Sequence, residues 1–130
     1  MSVQSFRDLI VWQKSLDLAD TIYIVTDSFP STEMYGLTNQ LRRAGVSIPS
    51  NIAEGHSRQS TLEYKRFLSI AKGSLAEVET QLIIAQRRHY LHSDKLKELL
   101  SLSGEIERML AALMKNLKKK EVGKGKGHRK

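Results

Sequence analysis

The sequence predicts an all-α protein, an up-down-up-down four-helix bundle, and three observations carry that prediction. Apolar residues recur at steps of three and four through four long segments, no stretch alternates convincingly as a strand, and only two prolines interrupt the 130 residues. Four helices of roughly 20 to 30 residues with short connections pack most simply as antiparallel neighbours.

The first helix is expected to begin after Ser5, with Asp8 favouring its N-terminus. Leu9, Trp12, Leu16, Ala19 and Tyr23 then form one apolar stripe, which assigns Trp12 and Tyr23 to the core ahead of base stacking. Ser28-Phe29-Pro30-Ser31 ends this helix, because the residue before a proline is pushed out of helical dihedrals.

The second helix is expected from about Thr32 to Glu54, with Gly55 as its C-terminal stop. Leu37, Leu41, Ala44, Ile48 and Ile52 keep helical spacing straight through Pro49, which predicts one kinked helix rather than two. An interior proline costs about 3 kcal/mol, since it has no N–H for the carbonyl of Gly45 and its ring presses on that turn. Gly45 lets the turn deform without side-chain crowding. Ser47, Ser50 and Asn51 surround the proline and are expected to satisfy freed carbonyls or to bond across a subunit boundary, ahead of binding a ligand.

Ser60-Thr61-Leu62-Glu63 reads as a capping box opening the third helix. Tyr64, Leu68, Ala71, Leu75, Val78, Leu82, Ala85 and His89 make its seam, and a second row, Phe67, Ile70, Ser74 and Ile84, widens the apolar face. Gly73 weakens the helix by about 1 kcal/mol relative to alanine and predicts a close backbone approach. The fourth helix begins at Ser93-Asp94 and continues through Leu96, Leu99, Ser103, Ile106, Leu110, Leu113 and Leu117. The predicted organisation is therefore a bundle over residues 1–117 and a disordered basic tail over 118–130, where little apolar area offsets ordering entropy.

With no cysteine, disulfide frameworks, thiolate zinc sites and cysteine nucleophiles drop out together. No run approaches the roughly 18 apolar residues of a membrane span and no signal-type leader opens the chain, so a cytoplasmic location without membrane contact is expected. The net charge of +7 is concentrated: Lys115 to Lys130 holds eight basic residues and one acidic, whereas residues 1–114 hold thirteen of each. Within the body, residues 1–33 have two basic against five acidic side chains, and residues 34–76 have six against two.

Several stretches resemble the 23S rRNA intervening sequence protein family, also called the four helix bundle protein family and related to the accessory variability determinant proteins of diversity-generating retroelements. They are Phe6-Arg7-Asp8-Leu9 with Val11-Trp12-Gln13-Lys14, Phe29-Pro30, Tyr35-Gly36-Leu37, Gln40 to Ala44, Val46 to Gly55, and Phe67-Leu68 with Gly73-Ser74-Leu75. The resemblance spans about residues 6–117, and Gly45 departs from the expected alanine. It implies a barrel-like homopentamer without a known enzymatic activity, and no cofactor is expected. It also implies, from the retroelement relatives, a basic surface for nucleic acid and a reverse transcriptase.

Arg42 and Arg43 are adjacent on a helix and project about 100° apart, so they cannot both face the same place. In one reading, one of them pairs with Glu54 or another acid and the other is solvated. In the other, Arg42, Arg43, Arg58, Lys65, Arg66 and Lys72 form a basic band across the second and third helices, multiplied by a ring of copies. Lys118, Lys119 and Lys120 open the tail, read either as a solubilising end or as a phosphate-attracting arm. His56, His89, His92 and His128 make no metal site, and Glu54 lacks a partnered base or nucleophile. The leading expectation is a non-enzymatic oligomer that binds structured RNA or DNA electrostatically, with service as an accessory to a nucleic-acid enzyme as one form of that role. The alternative is a protein-interaction scaffold.

Overall fold

A computed structural model describes the backbone of residues 5–128 and the side chains of residues 5–117. The described residues contain four α-helices and no strand: α1 (Ile10–Thr26), α2 (Leu37–His56), α3 (Thr61–Arg87) and α4 (Ser93–His128). Each helix packs on the next, and α4 returns against α1, closing the bundle. No described helix is long and apolar enough to cross a membrane. Over the tail expected to be disordered, 118–130, the described backbone continues as α4 to His128, and the side chains lie outside the described residues.

The first departure from expectation is at α1. Ser5 caps a short 3-10 turn, Phe6–Asp8, by accepting from the Arg7 N–H at 3.1 Å, and the α-helix itself starts only at Ile10. Its buried stripe is Val11, Ser15, Leu18, Ala19, Ile22 and Val25 with Thr26; of the expected stripe Ala19 is buried, whereas Leu16 and Tyr23 are 37% and 45% exposed. Two hydroxyls hide the true stripe. Ser15 donates to the Trp12 carbonyl at 2.7 Å and Thr26 to the Ile22 carbonyl at 2.7 Å, so both polar groups are satisfied inside the helix and bury cheaply.

Helix α2 also starts later than expected, because Ser31–Glu33 forms a separate 3-10 turn. The Glu33 carboxylate reaches forward and accepts the Leu37 N–H at 3.0 Å, taking the place of a capping residue at Gly36. From there α2 runs uninterrupted through Pro49 to His56, burying Leu41, Ala44, Ile48, Pro49 and Ile52. One helix through the proline is therefore correct. Gly55 lies inside it without a left-handed backbone and is not a stop: a Cβ there would sit 2.8 Å from the Phe67 Cβ and 3.3 Å from the Tyr64 carbonyl. Its small size lets α2 and α3 converge at their turn. Gly45 acts similarly against α1, where an added Cβ would meet Ile22 Cδ1 at 2.9 Å.

Ser60 accepts the Glu63 N–H at 3.3 Å, as the capping box predicts. The α3 seam from Leu68 through Ala85 is buried as expected, and burial raises the Tyr64 phenol above its ordinary pKa. The second row divides: Ser74 is buried, but Ile70 and Ile84 are exposed. Gly73 has no neighbour within 4 Å of an added Cβ, so the close approach expected there does not occur within the chain. Along α4, Leu99, Ser103, Ile106 and Leu110 are buried, with the Ser103 hydroxyl donating to Glu79 of α3.

Candidate nucleic-acid interface

The antiparallel α2–α3 pair and the turn joining it carry every basic position predicted within the bundle. Its register is set by polar pairs across the seam: Ser47 and Ser74 hydroxyls lie 2.8 Å apart, and Gln81 Nε2 donates to Gln40 Oε1 at 3.5 Å. Asn51 donates to the Ser47 carbonyl at 2.7 Å and to its hydroxyl at 2.9 Å. Ser47 and Asn51 are thus tied to each other and to α3, and the carbonyl they engage is that of residue 47. Ser50 is exposed.

The two adjacent arginines have opposite fates. Arg42 is largely covered: Nε donates to the Thr26 hydroxyl at 2.9 Å, Nη2 pairs with Asp27 at 3.0 Å, and the guanidinium lies 4.8 Å from the centroid of the Tyr23 ring. It fastens α2 to the end of α1. Arg43, about 100° round the helix, is exposed and lines the groove of Gln40, Ser47, Glu77 and Gln81 between α2 and α3. One arginine paired and one solvated is the arrangement of the simpler sequence reading, with Asp27 rather than Glu54 as the acid.

Arg58 is likewise committed, pairing with Glu54 at 3.1 Å and lying 5.0 Å from the Phe67 ring centroid. This pairing also gives Glu54 a structural role. On α3, Lys65 and Lys72 are seven residues apart and share a flank with Glu79, which faces α4; both lysines are half-buried. Arg66 points about 100° away from Lys65 and is exposed. The six cations therefore do not line up on one copy. Arg43 lies on the α2 side of α3, Lys65 and Lys72 lie on the α4 side, Arg66 lies outward, Arg42 is engaged inside the fold, and Arg58 is paired at the surface. Arg43, Arg66 and Lys72 make no intramolecular ion pair among the described residues. Lys118, Lys119 and Lys120 lie outside the described side chains.

A second surface was hidden by the misplaced α1 stripe. Leu16 and Tyr23 of α1, with Trp12 beside them, adjoin Val46, Pro49 and Ala53 of α2 and line a shallow apolar groove of about 370 Å³. Phe6 closes one end, with its ring centroid 5.2 Å from that of Trp12 in an edge-to-face arrangement. A further cluster, the cations Arg87 and Arg88 with His89 and His92, occupies the α3–α4 turn, and all four residues are exposed. Sequence reasoning weighed only the two histidines there, as a metal site against a solvated turn; the run Arg-Arg-His was the available signal.

These features define an all-α bundle with an apolar outer groove and scattered surface cations, and among the described residues no group of three His, Asp or Glu side chains could hold a metal ion. The chain belongs to the 23S rRNA-intervening sequence protein family, whose model matches residues 7–112. It is similar to the crystal structure of a protein of unknown function from the S23 ribosomal protein family of Bacteroides thetaiotaomicron. The two share 28% identity with a TM-score of 0.74, over 82% of this chain and 99% of the other. No curated protein matches the chain.

Proposed function

We propose that this protein is a non-enzymatic, cytoplasmic homo-oligomer that binds structured RNA or DNA through its surface cations and serves as an accessory to a nucleic-acid enzyme such as a reverse transcriptase. The observation that carries this reading is that Arg43, Arg66 and Lys72 make no intramolecular ion pair among the described residues, leaving their charge available to phosphates. Such contacts are individually weak and become effective by repetition. The apolar groove between α1 and α2 supports assembly, because Leu16, Tyr23 and Val46 all remain exposed on one copy. A homopentameric barrel, with a bend of α2 at Pro49 shaping the groove wall, is the assembly proposed from the family resemblance.

The test is binding of a fluorescent structured RNA across a salt series, comparing the full chain with one ending at Leu117. The expected result is a steep loss of affinity with salt in both, with log–log slopes of about −0.7 to −0.9 per phosphate contacted. Binding that is absent at low salt or insensitive to salt would refute the reading. Mass measurement in solution tests assembly, and a stable monomer would remove the multivalency argument. The second reading, a protein-interaction scaffold, is favoured by the same apolar groove; it predicts a protein partner retained at high salt after nuclease treatment.

A further inference from the structure

We propose that the end of the bundle built from the α3–α4 turn and the turn preceding α2 is a separate binding surface for unpaired RNA strands, with Arg87, Arg88 and His92 facing phosphates and Tyr35 stacking on a base. This inference rests on the nucleic-acid reading above and locates a site that the predicted basic band does not include.

The turn is firmly built. Helix α3 closes with the Tyr90 N–H donating to the Ala85 carbonyl at 2.9 Å and the His89 N–H to the Gln86 carbonyl at 2.9 Å. The Tyr90 ring lies 5.5 Å from that of Phe29, its hydroxyl donates to Glu33 at 3.1 Å, and Leu91 is buried beside it. With these anchors, the turn and Ser28 frame a cleft of about 390 Å³. The Ile84, Ala85 and Gln86 carbonyls are already satisfied by backbone donors, so they do not call on the Arg87 and Arg88 side chains.

Arg87, Arg88, His89 and His92 make no side-chain hydrogen bond or ion pair among the described residues, unlike Arg42 and Arg58. His89 adopts a left-handed backbone, φ 66°, at the position of this motif where glycine is favoured. Its imidazole is exposed at the edge of that cleft and makes no side-chain hydrogen bond among the described residues, so no internal polar contact accounts for a side chain there. Across the Tyr90–Glu33 bond, Tyr35 follows Glu33 by two residues and is 94% exposed, more than any other large apolar side chain described. A tyrosine so placed offers a ring face to any base.

The acids nearby do not cancel this surface. Asp27 is bound by Arg42, and Glu33 accepts from both the Leu37 N–H and the Tyr90 hydroxyl. Asp94, in the first turn of α4, is exposed as well, and the exposed Lys97 follows it three residues on.

The experiment uses the full chain, a labelled unstructured RNA and the same RNA annealed into a duplex, with anisotropy read across a salt series. R87A/R88A is expected to lower affinity for the unpaired strand about tenfold or more and to flatten its salt slope by about one to two phosphate contacts. Y35A is expected to weaken unpaired-strand binding about tenfold with the slope unchanged, and to spare the duplex. All these side chains are exposed, and thermal melts of each variant verify folding. If both variants stay within twofold of the parent while R43A/R66A/K72A loses binding, this site is refuted and the wider reading stands. If the unaltered protein binds neither RNA at low salt, both are refuted.

Discussion

The two turns at either end of α3 contain similar residue types and use them in opposite ways. At the α2–α3 turn, Arg58 pairs with Glu54 and stacks on Phe67, His56 meets the Tyr64 ring edge-on at 5.8 Å, and Gly55 brings the helices together. Each basic or aromatic group there closes on a neighbour in the same chain. At the α3–α4 turn, only Tyr90 and Leu91 turn inward, and Arg87, Arg88, His89 and His92 face solvent. A basic residue next to a turn thus says little about function until its neighbours are known. A carboxylate one helical turn away and a ring beneath convert a cation into a fastening.

The largest expected effect that tests this contrast is at the tight turn. G55A forces a Cβ against Phe67 and the Tyr64 backbone and is expected to destabilise the fold by about 1–3 kcal/mol, measured by urea unfolding. A stability equal to the parent would show that the two helices do not converge as described. At the opposite turn the sign reverses. H89G relieves a left-handed backbone and is expected to stabilise by about 1 kcal/mol, raising the melting temperature; a loss of stability would show that the imidazole packs after all.

Between the turns, G73A replaces a glycine with open space around it and is expected to gain about 0.5–1 kcal/mol of helix stability in dilute monomer. If the same substitution instead disrupts an oligomer observed by mass measurement, the missing close approach at Gly73 lies between copies. R58A is expected to cost no more than about 1 kcal/mol, because its ion pair is substantially exposed. The smallest effect is in alkaline solution. Burial raises the Tyr64 phenol, so an unfolded tyrosine ionises first near pH 10. The associated stability is present below that pH and is lost as pH rises toward the folded-state value, a decline that Y64F should reduce.

Much of the bundle was legible from periodicity because α3 and α4 each have one uninterrupted apolar seam. Leu68 to Ala85 and Leu99 to Leu110 fall where three-and-four spacing puts them. Helix α1 was misread because it is apolar on two sides, and the side facing the core contains Ser15 and Thr26. Hydropathy scores those hydroxyls as polar, whereas their bonds to carbonyls three and four residues back make them compatible with burial. The helix starts were blurred for a different reason: Phe6–Asp8 and Ser31–Glu33 share helical composition but close as 3-10 turns, and the Glu33 side chain rather than a conventional cap admits α2.

The candidate site was legible as composition and illegible as geometry. Residue identity shows that Arg42, Arg43 and Arg58 are permanently charged. It does not show that Asp27 and Tyr23 claim the first, or that Glu54 and Phe67 claim the third, because those contacts depend on helices meeting in a particular rotation.

By itself, the sequence determined the helical class, the continuity of α2 through Pro49, the capping of α3 at Ser60 and family membership, since each depends on residues close together in the chain or on an ordered motif. Tertiary structure decided which face of α1 is inside, why Gly55 must be small, and which arginines still have charge to offer. Those outcomes depend on neighbours distant in sequence, where a few ångströms separate an internal ion pair from an exposed cation.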